Sequence, residues 1–312
     1  MLLWHTLSTY FRARLGGRVQ KIPLDAGSRC PNRDGTLSRA GCIFCNEQGS
    51  GSGLGKQGVD IPSQWRLWQE KYARTEDSRR FIAYLQSFSN TYGPPGRLRR
   101  LLSEVARLPG NLGVSVGTRP DCLDEEKLDI LAACPLPEVW LELGLQSAHD
   151  ATLERINRHH SRMDAERAVR AAAARGLKVC GHLMAGLPGE DADAFLRSVR
   201  WAAALPLAGI KLHSVYVCAG TELARQYASG TYTPLTKAAY VEMLASALPL
   251  LPARMVVHRL TGDPAPGELL APDWTPDKRG VLTTLHRNMH RRGLWQGCRA
   301  DARQGRPLWF GR

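Results

Sequence analysis

Residues 30–45 read CPNRDGTLSRAGCIFC and hold three of the chain's eight cysteines: Cys30, then eleven residues, Cys42, then two, Cys45. A basic, apolar-alternating run over residues 19–24 leads into this stretch, and a Gly/Ser-rich tract over residues 49–55 follows it. Two cysteines at C-x-x-C spacing place their thiolates on one metal ion or cluster. A third, brought in by a loop, leaves one coordination position open. A closed structural zinc site needs four protein ligands, and a distant Cys or His is able to supply the fourth. Three cysteines suit a four-iron cluster with one iron left for a small molecule. Spacing alone does not separate zinc from an iron–sulfur cluster. A disulfide would need only two cysteines and an oxidising compartment.

Length and composition narrow the setting. A chain of 312 residues suits one large α/β domain or a barrel with an extension. Eight cysteines without an even pattern of pairs argue against a secreted disulfide framework. The N-terminal MLLWHTLSTYFRARLGG lacks the apolar core of a signal peptide. No run approaches the roughly 20 apolar residues of a membrane helix. A soluble, reducing, cytoplasmic setting and no membrane partner are therefore expected. The formal net charge is +13. It is read either as a solvated arginine-rich surface or as the footprint of an anionic partner such as nucleic acid. The basic residues are scattered: Arg12, Arg14, Arg18 and Lys21; Arg97, Arg99 and Arg100; Arg287, Arg291 and Arg292.

The patterning predicts strands at residues 21–24, 80–87, 112–116, 139–145, 177–185 and 209–217. Helices are predicted at 62–73, 97–108, 124–133, from Asp150, from Asp164, and at 190–205. Strands alternating with helices give a parallel sheet with right-handed crossovers. Residues 1–18 read as an N-terminal helical segment and 19–230 as the core. Residues 231–312 read as an extension capping it, with a helix at 235–250, a strand at 255–260 and a last helix at 276–291.

Further motifs fall at strand ends: VSVGTRPD, WLELGLQSAHDATLERINRHH and CGHLMAGLPGED. With CPNRDGT and GCIFCN, in this order, they make the chain resemble the radical SAM superfamily, and closely the YhcC-type family within it. That family is related to the radical SAM domain of the elongator catalytic subunit. The resemblance covers about residues 19–278. It implies a partial (β/α)6 TIM-like barrel with a C-terminal α/β extension, a [4Fe–4S] cluster, and S-adenosyl-L-methionine (SAM) bound at the open iron. It also implies a reductant such as flavodoxin or ferredoxin, and cleavage of SAM to a 5′-deoxyadenosyl radical that takes a hydrogen atom from substrate. The cofactor carries that chemistry while the protein orients it and excludes water.

By this resemblance Cys30, Cys42 and Cys45 are the cluster ligands. The long first gap departs from the superfamily's usual C-x-x-x-C-x-x-C but is shared by the YhcC-type members. Phe44 lies where relatives place an aromatic beside the adenine; it would equally serve as an apolar plug. Gln146 and Arg158 match SAM-contacting positions, and His182 a ribose contact. Gly186 and Gly189 flank Pro188 in a turn where backbone approaches the adenine. Glu142 alternates with Leu141 and Leu143. A carboxylate aimed into a barrel is costly unless paired, so it reads as a site residue, with Thr118 and Arg119 as further candidates. The GGE segment of many relatives is absent, and Ser87, Ser89, Asn90 and Thr91 are read as its replacement. Tyr216 and Ala219 stand where the family has a His and a Lys, and His159 where it has a Gly. Cys122, Cys134, Cys180, Cys218 and Cys298 read as small apolar residues. The tail stretches HRLTGDPAP and LLAPDW look like a branch linked to the carboxymethylaminomethyl side chain of the tRNA wobble uridine, which makes tRNA the candidate substrate. The alternatives are a small metabolite or another macromolecule as substrate, or a zinc-stabilised nucleic-acid-binding protein without catalysis.

Overall fold

The computed structural model describes residues 2–300 apart from residues 50, 52, 74–79 and 266, together with residues 307, 309 and 310. Pro266, which ends the HRLTGDPAP stretch, and much of residues 301–312 of the expected extension lie outside the described residues. Strands β1 (Val19–Leu24), β2 (Arg80–Leu85), β3 (Asn111–Thr118), β4 (Glu138–Gln146), β5 (Lys178–Ala185) and β6 (Gly209–Ser214) follow one another in space as in sequence. Every neighbouring pair is parallel. Short β7 (Val217–Cys218) leaves this sheet, and β8 (Val256–Arg259) adds a seventh parallel strand beside β6. Strand β9 (Leu269–Ala271) pairs antiparallel with β7. The expected partial barrel is present, with one more strand than the six predicted, taken from residues 231–312.

The two faces of the sheet follow from the two-residue period of a strand. Leu141, Leu143 and Leu145 of β4, Val179 and Leu183 of β5, and Ile210 and Leu212 of β6 form one continuous buried core. They pack against helices α3 (Pro95–Ala106), α6 (Arg162–Ala174), α7 (Ala192–Ala203) and α9 (Lys237–Ala247). The alternate residues, Tyr84, Glu142, Gly144, His182, Lys211 and His213, face the interior and are polar or small. The curl of the sheet is visible in their contacts. In a flat sheet β1 and β4 are three spacings, about 14 Å, apart. Yet Lys21 Nζ on β1 lies 2.6 Å from Glu142 Oε1 on β4, and His258 Nδ1 on β8 reaches the same oxygen at 3.8 Å.

Both chain ends close the open edge at β8, which manages the unpaired groups an edge strand presents. Val257 N donates to His5 O at 2.8 Å, and Thr6 pairs parallel with Val257. The buried Gln296 carboxamide accepts from His5 N and donates to Met255 O and Pro252 O. Helix α1 (Leu7–Leu15) follows, capped by Thr6.

Three details depart from the sequence reading. Helix α6 starts at Arg162 under a Ser161 capping box, with Asp164 as its third residue and not its start. The predicted strand 209–217 breaks after Ser214, where Val215 N bonds Ala185 O, and resumes as β7. Helix α8 (Glu222–Ala228), capped by Thr221, occupies a stretch the patterning left unassigned. Among the described residues no helix is long and apolar enough to cross a membrane.

The N-terminal end of the barrel is held by Glu138, whose side chain has no exposed surface. It accepts from Arg14 Nε (3.0 Å), Lys178 Nζ (2.8 Å), Tyr10 OH (3.1 Å) and Trp140 Nε1 (3.1 Å). One carboxylate thereby joins α1, β4 and β5. Removing it orphans the buried Trp140 Nε1–H at about 1–3 kcal/mol and loses the bonds of the partly exposed Tyr10, Lys178 and Arg14. Glu138→Leu is expected to lower unfolding free energy by about 2–4 kcal/mol in denaturant titrations while leaving the distant cavity chemistry of the folded fraction unchanged.

Candidate active site and cofactor cavity

Barrel sites sit where strands end at their C-terminal edge, and here that edge opens into one cavity. Its wall includes Cys30, Cys42, Phe44 and Cys45 from the loop between β1 and helix α2 (Ile61–Ala73), and Thr118, the last residue of β3, with Arg119 following it. The wall also includes Glu142, Gly144 and Gln146 of β4, Arg158 from the turn between α5 (Asp150–Arg155) and α6, and His182 and Met184 of β5. The cysteine loop is folded on itself. Arg33 N and Asp34 N cap Cys30 O, Cys45 N returns to Cys42 O, and Gly41 N to Asn32 O at 2.8 Å. Arg33 Nη2 donates to the carbonyls of Cys45 (2.5 Å) and Asn46 (2.7 Å). Asn157 Nδ2 donates to Gly41 O at 2.5 Å, and Ile43 N to Ile156 O, which docks the loop on the INRHH turn.

All eight cysteines are free thiols, and the three of the loop face the same cavity. Among the described residues no three His, Cys, Asp or Glu side chains converge on a position for a single metal ion. Burial, with the neighbouring Cys42 next, pushes the Cys45 thiol up to about 11 against the pull of Arg33. A metal taken up there must displace that proton, as thiolate ligation always requires. Asn32 Nδ2 and Arg158 Nη1 both point at Cys42 Sγ, at 3.4 and 3.5 Å.

The far wall is built by β4 and the turn after α5. Gln146 takes a left-handed backbone (φ 68°) at a register shift between β4 and β5, and its buried Oε1 has no partner. Arg158 donates from Nη2 to Gly144 O (2.8 Å) and from Nε to His160 Nε2 (3.0 Å). A side chain on Gly144 would meet Arg158 Nη2 at 2.5 Å and Gln146 Nε2 at 2.6 Å, so the glycine of ELGLQS makes room for both. Burial, then Arg158, drives His160 down to about 3, which leaves it a neutral acceptor. Arg119 is 2% exposed; it grips Asp121 through two bonds and donates to Arg158 O at 2.7 Å, while its Nη1 has no partner.

The floor is an ion cluster centred on Glu142. Lys21 and Lys211 donate to its two oxygens, His182 Nε2 lies 3.2 Å from Oε2, and Lys211 also donates to Tyr84 OH at 3.0 Å. Burial alone would raise the Glu142 carboxyl; the two ammonium groups and the histidine bonds outweigh it and hold it well below the usual range. Burial, with Lys211 next, lowers His182 to about 4. His213 and His258 fall to about 3, each chiefly through burial.

Gly186 does not reach the cavity wall. Its φ of 81° and the approach of Leu235, 2.8 Å from where a Cβ would stand, explain the glycine, and its carbonyl accepts from Tyr232 OH. Of the residues read as replacing GGE, Ser89 lies on the wall. Asn90 is a clasp donating to Leu85, Ser87 and Gly117 carbonyls, and Thr91 bonds Cys122 O and Thr118. His159 sits at φ 55°, the conformation a glycine adopts freely. Arg97 turns inward onto Ala26 O, Ser28 and Asn90 O, so it is not part of a surface patch. Arg99 and Arg100 instead flank an outer groove with Arg66 and Arg107. Cys122, Cys180 and Cys218 are buried as expected, Cys134 and Cys298 partly so. Tyr84, Lys211, His213 and Arg259 line the cavity without having been singled out. The alternation K-L-H in β6 carried the same signal as Glu142 in β4.

These lowered histidines fix a pH dependence. A histidine whose folded pKa is depressed from 6.5 toward 3–4 takes up its proton on unfolding, so its stabilising effect is lost as pH falls below 6.5. Glu142, lowered as well, adds loss in the same direction below its ordinary range. Stability is expected to fall steeply between pH 6 and 4, and His213→Asn should flatten the slope by about 1.4 kcal/mol per pH unit. Denaturant titrations across that range check it; an unchanged slope would show that His213 is protonated in the folded protein.

Comparison with known proteins gives the family and agrees with the fold. The family model of the radical SAM superfamily matches residues 27–202, and that of the radical SAM C-terminal domain matches residues 207–291. Protein YtqA of Bacillus subtilis is 36% identical over 295 residues, covering 94% of this chain and 92% of its own. Protein YhcC of Escherichia coli is 34% identical over 287 residues, 90% of each. A tRNA uridine(34) acetyltransferase of Methanocaldococcus jannaschii is 25% identical over 190 residues, 60% of this chain and 34% of that one. In fold, the Elp3 structure of Methanocaldococcus infernus superposes with TM-score 0.69 at 18% identity, over 89% of this chain and 64% of that one. The chain belongs to the radical SAM superfamily, whose enzymes use a [4Fe–4S] cluster and SAM, and within it to the family of YtqA and YhcC.

Proposed function

We propose that Cys30, Cys42 and Cys45 hold the [4Fe–4S] cluster, that SAM is seated beside it, and that the substrate is the modified wobble uridine of tRNA. The observation that carries the cofactor part is the convergence of three thiols with Phe44, Gln146, Arg158 and His182 on one cavity wall. The donor set fits the group. Three thiols on one cavity wall suit a cluster in which three irons take a thiolate each and one is left open. A closed structural zinc site would need a fourth protein ligand.

When bound, the cluster and SAM would supply radical chemistry that abstracts a hydrogen atom from the substrate. The remaining work belongs to the chain. Phe44 would cover the adenine. Gln146 Oε1, buried without a donor, would accept from the amine or a ribose hydroxyl. Arg158 has donors left after its three bonds for the carboxylate, and His182, held neutral and oriented by Glu142, would meet the ribose. The Glu142 cluster fixes the floor, and the cavity walls would limit water around the bound cofactor. A flavodoxin or ferredoxin would deliver the electron in a cytoplasmic setting.

Support for tRNA comes from the net charge of +13, the basic groove of Arg66, Arg99, Arg100 and Arg107, and a relative named a tRNA uridine(34) acetyltransferase.

The anaerobically reconstituted protein is expected to be brown with one four-iron cluster, and Cys30→Ala, Cys42→Ala and Cys45→Ala each to lose it, while Cys218→Ala keeps it. A colourless zinc protein would overturn the cofactor reading. Gln146→Ala, Arg158→Ala and His182→Ala should weaken SAM binding about ten- to hundredfold at normal iron content, the scale of a lost bond to a charged group. For the substrate, deletion of the gene should change the wobble-uridine nucleosides of total tRNA by mass spectrometry. An unchanged profile while the gene is expressed would leave a small metabolite or another macromolecule as substrate.

A further inference from the structure

We propose that Asn32 and Arg158 raise the reduction potential of the cluster by donating hydrogen bonds to the sulfur of one ligand, Cys42. This rests on the assignment of Cys42 as a ligand. Among the described residues, Cys42 is the thiol of the three that receives N–H donors, at 3.4 Å from Asn32 Nδ2 and 3.5 Å from Arg158 Nη1. The Cys45 sulfur instead faces a carbonyl oxygen, Asn46 O, at 3.6 Å.

Both donors are fixed in place by the protein. Asn32 is fully buried, and its Nδ2 also donates to Asn157 O at 2.6 Å, which orients the amide toward the sulfur. Arg158 is 7% exposed and clamped by His160 and Gly144 O, while its own carbonyl is held by Arg119. The carboxylate nearby, Asp121, is engaged by Arg119, and the direct partners of the Arg158 guanidinium are neutral. Its positive charge is therefore left facing the sulfur. Hydrogen bonds to cluster sulfurs and local charge are the levers by which a protein sets such potentials. An N–H donor stabilises the more negative, reduced cluster more than the oxidised one, so its loss lowers the potential.

The test is a potentiometric titration of the reconstituted protein without SAM, followed by the EPR signal of the reduced cluster. Arg158→Leu should lower the ratio of reduced to oxidised cluster at fixed potential at least tenfold, about 59 mV for a one-electron couple. Asn32→Leu, losing a neutral donor, should lower it several-fold. Asn157→Gly keeps the left-handed turn and the carbonyl that Asn32 uses but loses the side-chain contact to Gly41 O. It should cost stability and leave the potential unchanged, which separates a tuning role from a merely structural one. Full iron loading with wild-type potentials in both Leu variants would overturn the proposal. If neither variant holds iron, selective 15N-arginine labelling of the wild-type protein decides: a hyperfine coupling to the reduced cluster supports it, and none overturns it. Normal iron in Cys42→Ala would instead bring down the ligand assignment itself.

Discussion

Glu142 has no exposed side-chain surface, and Lys21 of β1, Lys211 of β6 and His182 of β5 all contact its carboxylate. A lone buried carboxylate would be intolerable, and breaking such a pair by removing one partner costs about 3–5 kcal/mol. His182 reaches Glu142 from the neighbouring strand, but the contacts from Lys21 of β1 and His258 of β8 require the sheet to curl, and they reward the curl. Strands three positions apart are drawn to one point, which makes the sheet a half-barrel with an interior. The loops at its C-terminal edge then have a shared space to face.

Two buried carboxylates divide the labour. Glu138 ties β4 and β5 to α1 at the N-terminal end, where no chemistry is placed. Glu142 sits two pleat repeats further along the same face of β4, past Trp140, at the cavity floor. Above it, Gly144 and Gln146 continue the same alternation, so a single strand supplies stability, floor and cofactor wall in sequence order. The cysteine loop is held by its own backbone bonds, by Arg33 on the Cys45 and Asn46 carbonyls, and by Asn157 on Gly41 O.

Much of this was legible in the sequence where the signal is local. The period-two runs gave the strands, and a carboxylate between leucines marked Glu142 as inward-facing. The C-x-x-C spacing and its partner at Cys30 marked the loop. What escaped was set by distance. Lys21 was read as part of a basic strand because nothing local shows that β1 curls back to β4. Arg97 reads with its neighbours as a charged surface, but its place in the first turn of α3 lets its guanidinium reach in to Ala26 O. The GLPGE glycines fit a cofactor turn or a plain strand-to-helix connection; nothing local shows that Leu235 and Tyr232, nearly fifty residues on, pack against Gly186. The pairing of β7 with β9 joins two- and three-residue strands too short to carry a pattern.

The central claim is that three cysteines of one loop hold a cluster whose fourth position faces the rest of the cavity. EPR of the anaerobically reduced protein with and without saturating SAM addresses it most directly. The account predicts a single four-iron cluster whose spectrum changes when SAM is added, because SAM would bind at the iron left without a cysteine. A spectrum identical in the presence and absence of SAM would contradict it.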